Sequence, residues 1–187
     1  MSFDAHRLEK PRALLPHCIP KPGGVWADFG CGDGVFTTVL QEIIGPGGRV
    51  VGVDADAKAL QRLSERFKQD HPGVSIETRL ADFRAPLTLP PLDGFVIANS
   101  LHFIDTKERR DVFAQLAALL KPGGRAVVVE YNTRTPNPAV PFPLDPEEFL
   151  ALAEGAGLEA GRVAARVRSS FLGEMYAGVA LRSAGDG

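Results

Sequence analysis

The stretch Asp28-Phe29-Gly30-Cys31-Gly32-Asp33-Gly34 is where residue type and spacing most plainly permit chemistry. Glycines at alternate positions let the backbone take positive φ, and they let a bound molecule approach the main chain without meeting a Cβ. Val25 to Phe29 reads as a short buried strand and Val35 onward as a helix, so the turn presents bare backbone and a helix N-terminus above a strand end. Three later segments also end in polar groups. Asp54 closes the apolar run Val50-Val51-Gly52-Val53, 20 residues beyond Gly34, where a carboxylate can accept both hydroxyl hydrogens of a ribose. Asp82-Phe83 follows Leu80-Ala81, an acid able to accept from an adenine amino group beside a ring able to cover the base. Asn99-Ser100-Leu101-His102 forms the polar tip of the strand that begins near Gly94.

A glycine-rich turn serves several cofactors, and its neighbours discriminate among them. The dinucleotide fingerprint wants a small residue where Val35 stands. A phosphate-binding Walker loop wants Lys and then Ser or Thr after its last glycine, and Gly34 is followed by Val35-Phe36. Asp28 and Asp33 place carboxylates beside the turn, which opposes a pyrophosphate and suits a ligand carrying an ammonium and a sulfonium. The common short-chain oxidoreductase pattern Tyr-x-x-x-Lys is also missing, since Thr135 lies four places after Tyr131 and Ala180 four after Tyr176.

Taken together, D-x-G-x-G-x-G, the acid closing the second strand, A-D-F, A-N-S-L-H-F and the later Lys121-Pro122-Gly123-Gly124 make the chain similar, from about Gly23 to about Arg182, to the class I methyltransferases dependent on S-adenosyl-L-methionine (SAM), of the small-molecule type. The resemblance implies a cofactor site in which Asp28, Gly30, Cys31, Gly32 and Gly34 form the loop that holds the methionine portion. It places Asp54 and Ala55 at the ribose, Asp82 and Phe83 at the adenine, and Asn99 and Ser100 at the end of the fourth strand. It also implies an α/β fold: a Rossmann-like, seven-stranded, mostly parallel sheet with helices on both faces and a C-terminal antiparallel strand pair. One domain spanning 1–187 is expected, with an N-terminal helical segment or lid at 1–22, a core at 23–183 and a tail at 184–187.

The elements that must position these residues follow from periodicity. Phe36, Val39, Leu40, Ile43 and Ile44 make a helical stripe that ends at Gly45-Pro46. Asp56 is placed to cap a helix carrying Leu60, Leu63 and Phe67 to His71-Pro72-Gly73, after which Val74 to Leu80 reads as strand three. Asp105 to Glu108 and Asp145 to Glu148 both match a capping box. Ala126 to Tyr131 reads as strand five with the all-apolar run Val127-Val128-Val129, and 158–168 and 174–182 alternate as antiparallel strands do. Residues 2–20 read as a short helix broken at Pro11 and Pro16. Either it covers the cofactor, bringing Phe3, His6 or Arg12 to the site, or it packs on the sheet. Five prolines in 132–146 make an extended, semi-rigid segment.

Composition narrows the partners. A formal charge of −2 offers no broad cationic field, so nucleic acid is not expected. Two cysteines, 18 and 31, are too few for a disulfide framework and suit a reducing cytosol, and no apolar run approaches a membrane span. The segment after strand four lacks the Pro-Pro-Tyr of enzymes acting on exocyclic amino groups, and lacks the cysteine of cytosine C5 enzymes, leaving a small-molecule acceptor. Methyl transfer from a sulfonium needs no metal, and the four histidines (6, 17, 71 and 102) show no metal-ligand spacing. If the acceptor must lose a proton, His102 or the Glu130-Tyr131 pair stands at a strand end to take it. His102 equally suits a packed residue beneath the cofactor. A SAM-binding module without catalysis fits the cofactor half as well. Acceptor recognition is left to the N-terminal segment, residues 132–146 or a second subunit in a homodimer.

Overall fold

The computed structural model describes residues 5–20 and 22–185. Its elements are α1 (Ala5–Leu14), β1 (Val25–Phe29), α2 (Val35–Ile44), β2 (Arg49–Asp54), α3 (Ala57–Asp70), β3 (Glu77–Leu80), β4 (Leu92–Ala98), α4 (Thr106–Ala117), β5 (Leu120–Tyr131), α5 (Pro146–Gly155), β6 (Leu158–Ser169) and β7 (Gly173–Arg182). Single 3-10 turns lie at Leu15–His17 and Leu101–Phe103. The strands form one seven-stranded sheet in the order β3-β2-β1-β4-β5-β7-β6. The first five pair in parallel, and β7 runs antiparallel between β5 and β6, as expected from the alternating pattern of the last two strands. The order reverses between β1 and β4, which opens a crevice at the carboxyl ends of those strands.

Successive residues of the central strands serve opposite faces. Ala27, Phe29, Val51, Val53, Phe95 and Ile97 pack with Phe113 and Leu116 of α4 and Phe149 of α5. Trp26, Val50, Val96 and Val127 pack with Leu8 and Leu14 of α1 and with Val39, Leu40 and Ile44 of α2. Burial on both sides is why these strands read as continuous apolar runs.

Four local expectations are corrected. Helix α1 runs through Pro11 to Leu14 and does not break there; Pro11 is buried on the same stripe as Leu8 and Leu14, so packing compensates the hydrogen bond it cannot donate. Strand β3 starts at Glu77 and not at Val74, because Val74 and Ile76 pack against Leu60, Leu63 and Phe67 instead of pairing. Strand β5 starts at Leu120: Leu120 pairs with Leu92 and Arg125 with Gly94, so Lys121-Pro122-Gly123-Gly124 is looped out within one strand. At α4 the Asp105 side chain accepts only from Lys107 N, at 2.9 Å, and the reciprocal bond from Glu108 is not made.

The reciprocal box does form at α5, where Asp145 accepts from Glu148 N at 2.9 Å and Glu148 accepts from Asp145 N at 3.2 Å. Asp145 is buried and also pairs with Arg134. Asp145→Ala is therefore expected to destabilise the protein by about 1–2 kcal/mol. Asp145→Asn, which keeps an acceptor, should cost distinctly less; urea unfolding midpoints of the two variants check both values.

Candidate active site

Each glycine of the turn is required for a different reason. Gly30 has φ +72, and a Cβ on it would lie 2.3 Å from Ser100 Oγ, so the ends of β1 and β4 approach too closely for any other residue. Gly34 has φ +93, and its Cβ would lie 2.3 Å from Leu63 Cδ1; this glycine is needed for packing against α3 and lines neither cavity described below. Gly32 has φ +54 and a Cβ there would meet no protein atom within 4 Å, so on that side the loop faces open space. Backbone N–H groups of Gly30 and Cys31 both donate to Val53 O, at 2.8 and 3.1 Å, which ties the turn to β2.

Asp54 completes that tie. Its Oδ2 accepts from Gly32 N at 2.7 Å and its Oδ1 from Asp56 N at 2.8 Å. Asp56, in turn, caps α3 by accepting from Lys58 N. Each Asp54 oxygen accepts one protein N–H and keeps a lone pair for a ligand.

Two cavities meet at the crevice. One, of about 380 Å³, lies between the turn, the start of α2 and helix α1, and reaches Asp28, Phe36, Tyr131 and Met175. The other, of about 480 Å³, is bounded by Asp54, Ala55, Asp82, Phe83, Ser100 and Phe103. Gly30, Ala98 and Asn99 line both, so the two are halves of one trough divided by the β1 and β4 ends. Asn99 sits on that divide with φ +52, a strained conformation for a residue with a side chain. Its N–H donates to Val129 O at 2.9 Å, and its buried Oδ1 has no partner among the described residues.

The carboxylates around the turn have different roles. Asp28 is buried at the floor of the first cavity and accepts from Thr37 Oγ1 at 2.6 Å. Burial pushes its pKa up to about 7, against the lowering effect of Thr37, and nearby Asp54 adds to the rise. Asp33 does not offer a free carboxylate to a ligand, as had been expected. Arg7 of α1 donates to both its oxygens at 3.0 Å and Arg66 of α3 donates to one. Burial alone would raise the Asp33 pKa, but the two guanidiniums hold it below the usual range. Asp82 is engaged as well, by Arg84 Nε and Nη2, which holds its carboxyl low. Phe83 packs on Phe29 at 6.2 Å between ring centres. Cys31 lines the first cavity while its thiol packs with Leu60, Leu63 and Phe67, and burial raises its pKa, making it an inert filler.

His102 stands behind the cavity wall. It lines neither half of the trough, its side chain is 3% exposed, and its Nδ1 lies 2.6 Å from Glu130 Oε2. Glu130 Oε1 accepts from Leu101 N and His102 N, so the two candidates for proton transfer form one buried unit in the 3-10 turn. Tyr131 is the member of that group that reaches the cavity, 6.4 Å from the His102 ring. Of the N-terminal candidates, His6 lines the first cavity, Arg12 instead pairs with Glu42 of α2, and Phe3 lies outside the described residues. Lys10, Phe36 and Met175 also line the cavity and carried no sequence signal, because each is read as a helix or strand residue until the fold brings it there. Among the described residues no cluster of His, Cys, Asp or Glu is arranged to hold a metal, and no helix is long and apolar enough to cross a membrane.

A sheet that reverses order beside a two-chambered trough, with a carboxylate at the end of its second strand, places the protein among doubly wound nucleoside-cofactor proteins. The profile of the methyltransferase domain family matches residues 27–124. The chain belongs to that family, whose cofactor is SAM. It is 31% identical over 153 residues to the ubiquinone/menaquinone biosynthesis C-methyltransferase UbiE of Hahella chejuensis, covering 81% of this chain and 60% of that protein. It is 30% identical over 141 residues to the ribosomal RNA small subunit methyltransferase H of Geobacter sulfurreducens, covering 69% of this chain and 45% of that protein. The chain thus spans less than two thirds of either relative. In fold it is similar to the magnesium protoporphyrin IX methyltransferase of Synechocystis PCC 6803, whose crystal structure holds SAM; the TM-score is 0.67 at 18% identity, covering 87% of this chain and 71% of that one. The residues present fit the cofactor: Gly32 leaves room at the loop, Asn99 Oδ1 lacks a donor, and Asp28 is a buried acid whose hydrogen-bond partner, Thr37, is neutral.

The raised Asp28 pKa has a consequence of definite sign. Between about pH 4, where the unfolded carboxyl ionises, and about pH 7, the folded protein holds a proton that the unfolded chain has lost. This stabilisation is therefore complete at low pH and lost as pH rises through about 7. Asp28→Asn should gain in melting temperature relative to wild type as pH goes from 5 to 7 and level off above, which calorimetric scans at a series of pH values will show.

Proposed function

We propose that the trough binds SAM and that the protein transfers its methyl group to a small-molecule acceptor. The observation that carries this reading is the pair of cavities sharing Gly30, Ala98 and Asn99, one ending at Asp54 and Phe83 and the other at Asp28. In this reading Asp54 accepts from the ribose hydroxyls, with Ala55 beside it. Phe83 covers the adenine, whose amino group competes with Arg84 for the Asp82 carboxylate. Asp28, Cys31 and the backbone of the glycine turn face the methionine portion, and Asn99 and Ser100 hold the divide. Bound SAM supplies an electrophilic methyl on a sulfonium whose departure needs no proton. The chain's part is then alignment and exclusion of water. His102 fixes the exit of β4 through Glu130 and supports Tyr131, whose ring faces the acceptor. The described residues act as one domain, with helix α1 closing the methionine end over the core.

Of the relatives named above, one is by name a methyltransferase of ubiquinone/menaquinone biosynthesis and one a methyltransferase of ribosomal RNA. The small molecule is favoured because the net charge is −2 and Arg7 and Arg84, which line the trough, are each paired with an acid. Incubation with methyl-labelled SAM and a cell extract, separated into small-molecule and RNA fractions, tests this. Label in the small-molecule fraction supports the reading. Label in RNA would replace the acceptor class, and no label in either fraction would favour a non-catalytic SAM-binding module. Asp54→Ala should weaken SAM binding by about 1.5–3 kcal/mol, the scale of hydrogen bonds to a charged group. Because Asp54 also holds Gly32 N and Asp56 N, its loss should lower the melting temperature too, so calorimetric titration and thermal scans are read together.

A further inference from the structure

Beside the divide of the trough, aromatic rings line up across three elements. The Phe103 ring lies 4.3 Å from that of His102, His102 lies 6.4 Å from Tyr131, and Tyr131 meets Phe171 edge to face at 5.5 Å. Phe103 ends the turn after β4, Tyr131 ends β5, and Phe171 sits in the connection between β6 and β7. Phe103 is 58% exposed and Phe171 54%, among the few large apolar side chains left in solvent. Exposed rings on separate segments, converging on a cavity, are the arrangement expected of a binding surface and not of scattered surface residues. The row touches both halves of the trough, since Phe103 lines the half that holds Asp54 and Phe83 and Tyr131 lines the other, while Phe171 extends it outward beyond the trough. Met175, paired in register with Tyr131, adds a polarisable sulfur-bearing side chain to the cavity wall.

The surroundings restrict what can sit there. Glu130 is committed to His102 and to two backbone N–H groups. Glu174, at the start of β7, accepts from Asn132 at 2.8 Å and from Arg166 at 2.5 Å. The carboxylates bordering the row are thus occupied by hydrogen bonds within the protein, which leaves flat π-faces as the means of recognition. We propose that Phe103, Tyr131 and Phe171 seat an uncharged, planar aromatic methyl acceptor against the methyl-bearing end of the cofactor. This rests on the methyl-transfer reading above and specifies its substrate class. A ring in this seat is stacked or met edge-on, so its planarity, and not only its apolar area, contributes to binding.

The test uses the intact protein loaded with S-adenosylhomocysteine and titrated calorimetrically with 1-naphthol, quinoline and the saturated analogue decahydro-1-naphthol. At least one planar probe is expected to bind roughly 10-fold tighter than the saturated one, and Phe171→Ala to reduce that affinity by about 5-fold or more, the size of a lost aromatic pair. Affinity for S-adenosylhomocysteine should stay within about 2-fold, because Phe171 lies outside the trough. Phe171→Leu, which keeps apolar bulk without a ring, should resemble Phe171→Ala. Several results overturn the seat: equal binding of planar and saturated probes, full affinity in Phe171→Leu, or S-adenosylhomocysteine binding with no planar probe bound. A wild-type dimer in sedimentation that Phe171→Ala dissolves without changing probe affinity also overturns it, since the rings would then be a contact between copies. Failure to bind S-adenosylhomocysteine at all would sink the methyl-transfer reading and this proposal with it.

Discussion

The close approach of two strand ends, at Gly30 and Ser100, is the constraint on which the site depends. A Cβ at position 30 would fall 2.3 Å from Ser100 Oγ, and Ser100 Oγ itself donates to Ala98 O at 3.0 Å. This contact exists because β1 and β4 are sheet neighbours although β2, β3 and two helices separate them in the chain. At that point the helices after β1 and β4 leave on opposite faces, α2 packing with one core layer and α4 with the other. The crevice between them is therefore a product of topology, and the glycine permits its two walls to meet at the base without filling it.

Around that base, acids are sorted by what else can reach them. Asp28 lies inside the sheet with a hydroxyl as partner and is pushed toward neutrality. Asp33 projects from the turn into reach of α1 and α3 and becomes a double ion pair. Asp54 ends a strand and is occupied by backbone N–H groups. An isolated buried carboxylate is costly, and each of these avoids that cost differently: by holding a proton, by pairing with cations, or by accepting from the backbone. The Asp33 pairs also have a mechanical effect, since they fasten α1 over the first cavity from one side while Arg12 and Glu42 fasten it to α2 from the other.

What was legible in the sequence was whatever a single strand and its following turn encode. The glycine turn, Asp54, the Asp82-Phe83 pair and the parallel-then-antiparallel strand order could be read because each signal is contained within a few residues. The fate of Asp33 could not, because it is decided by Arg7 and Arg66, 26 and 33 residues away in the chain. Helix α1 hid its continuity behind Pro11, whose cost is offset by burial that only tertiary structure supplies. His102 and the Glu130-Tyr131 pair read as rivals for one role; the parallel pairing of β4 with β5 sets them side by side, so that they form a single unit.

The proline-rich segment 132–146 shows why acceptor recognition shifts elsewhere. Its composition suggests an extended, semi-rigid segment that could recognise the acceptor, and its backbone is held to the domain at several points. Phe142 N donates to the carbonyl of His102 at 3.0 Å. Arg109 donates to the carbonyls of Phe142 and Pro143. The Tyr176 hydroxyl donates to Leu144 O at 2.8 Å. The buried guanidinium of Arg109 has its pKa lowered by that burial, but it stays a cation whose removal would strand those carbonyls. A segment pinned in this way is part of the body of the domain, and none of its residues lines either half of the trough. In the reading proposed above, the acceptor side passes to the exposed connection between β6 and β7, where Phe171 packs against Tyr131 beside the cavity.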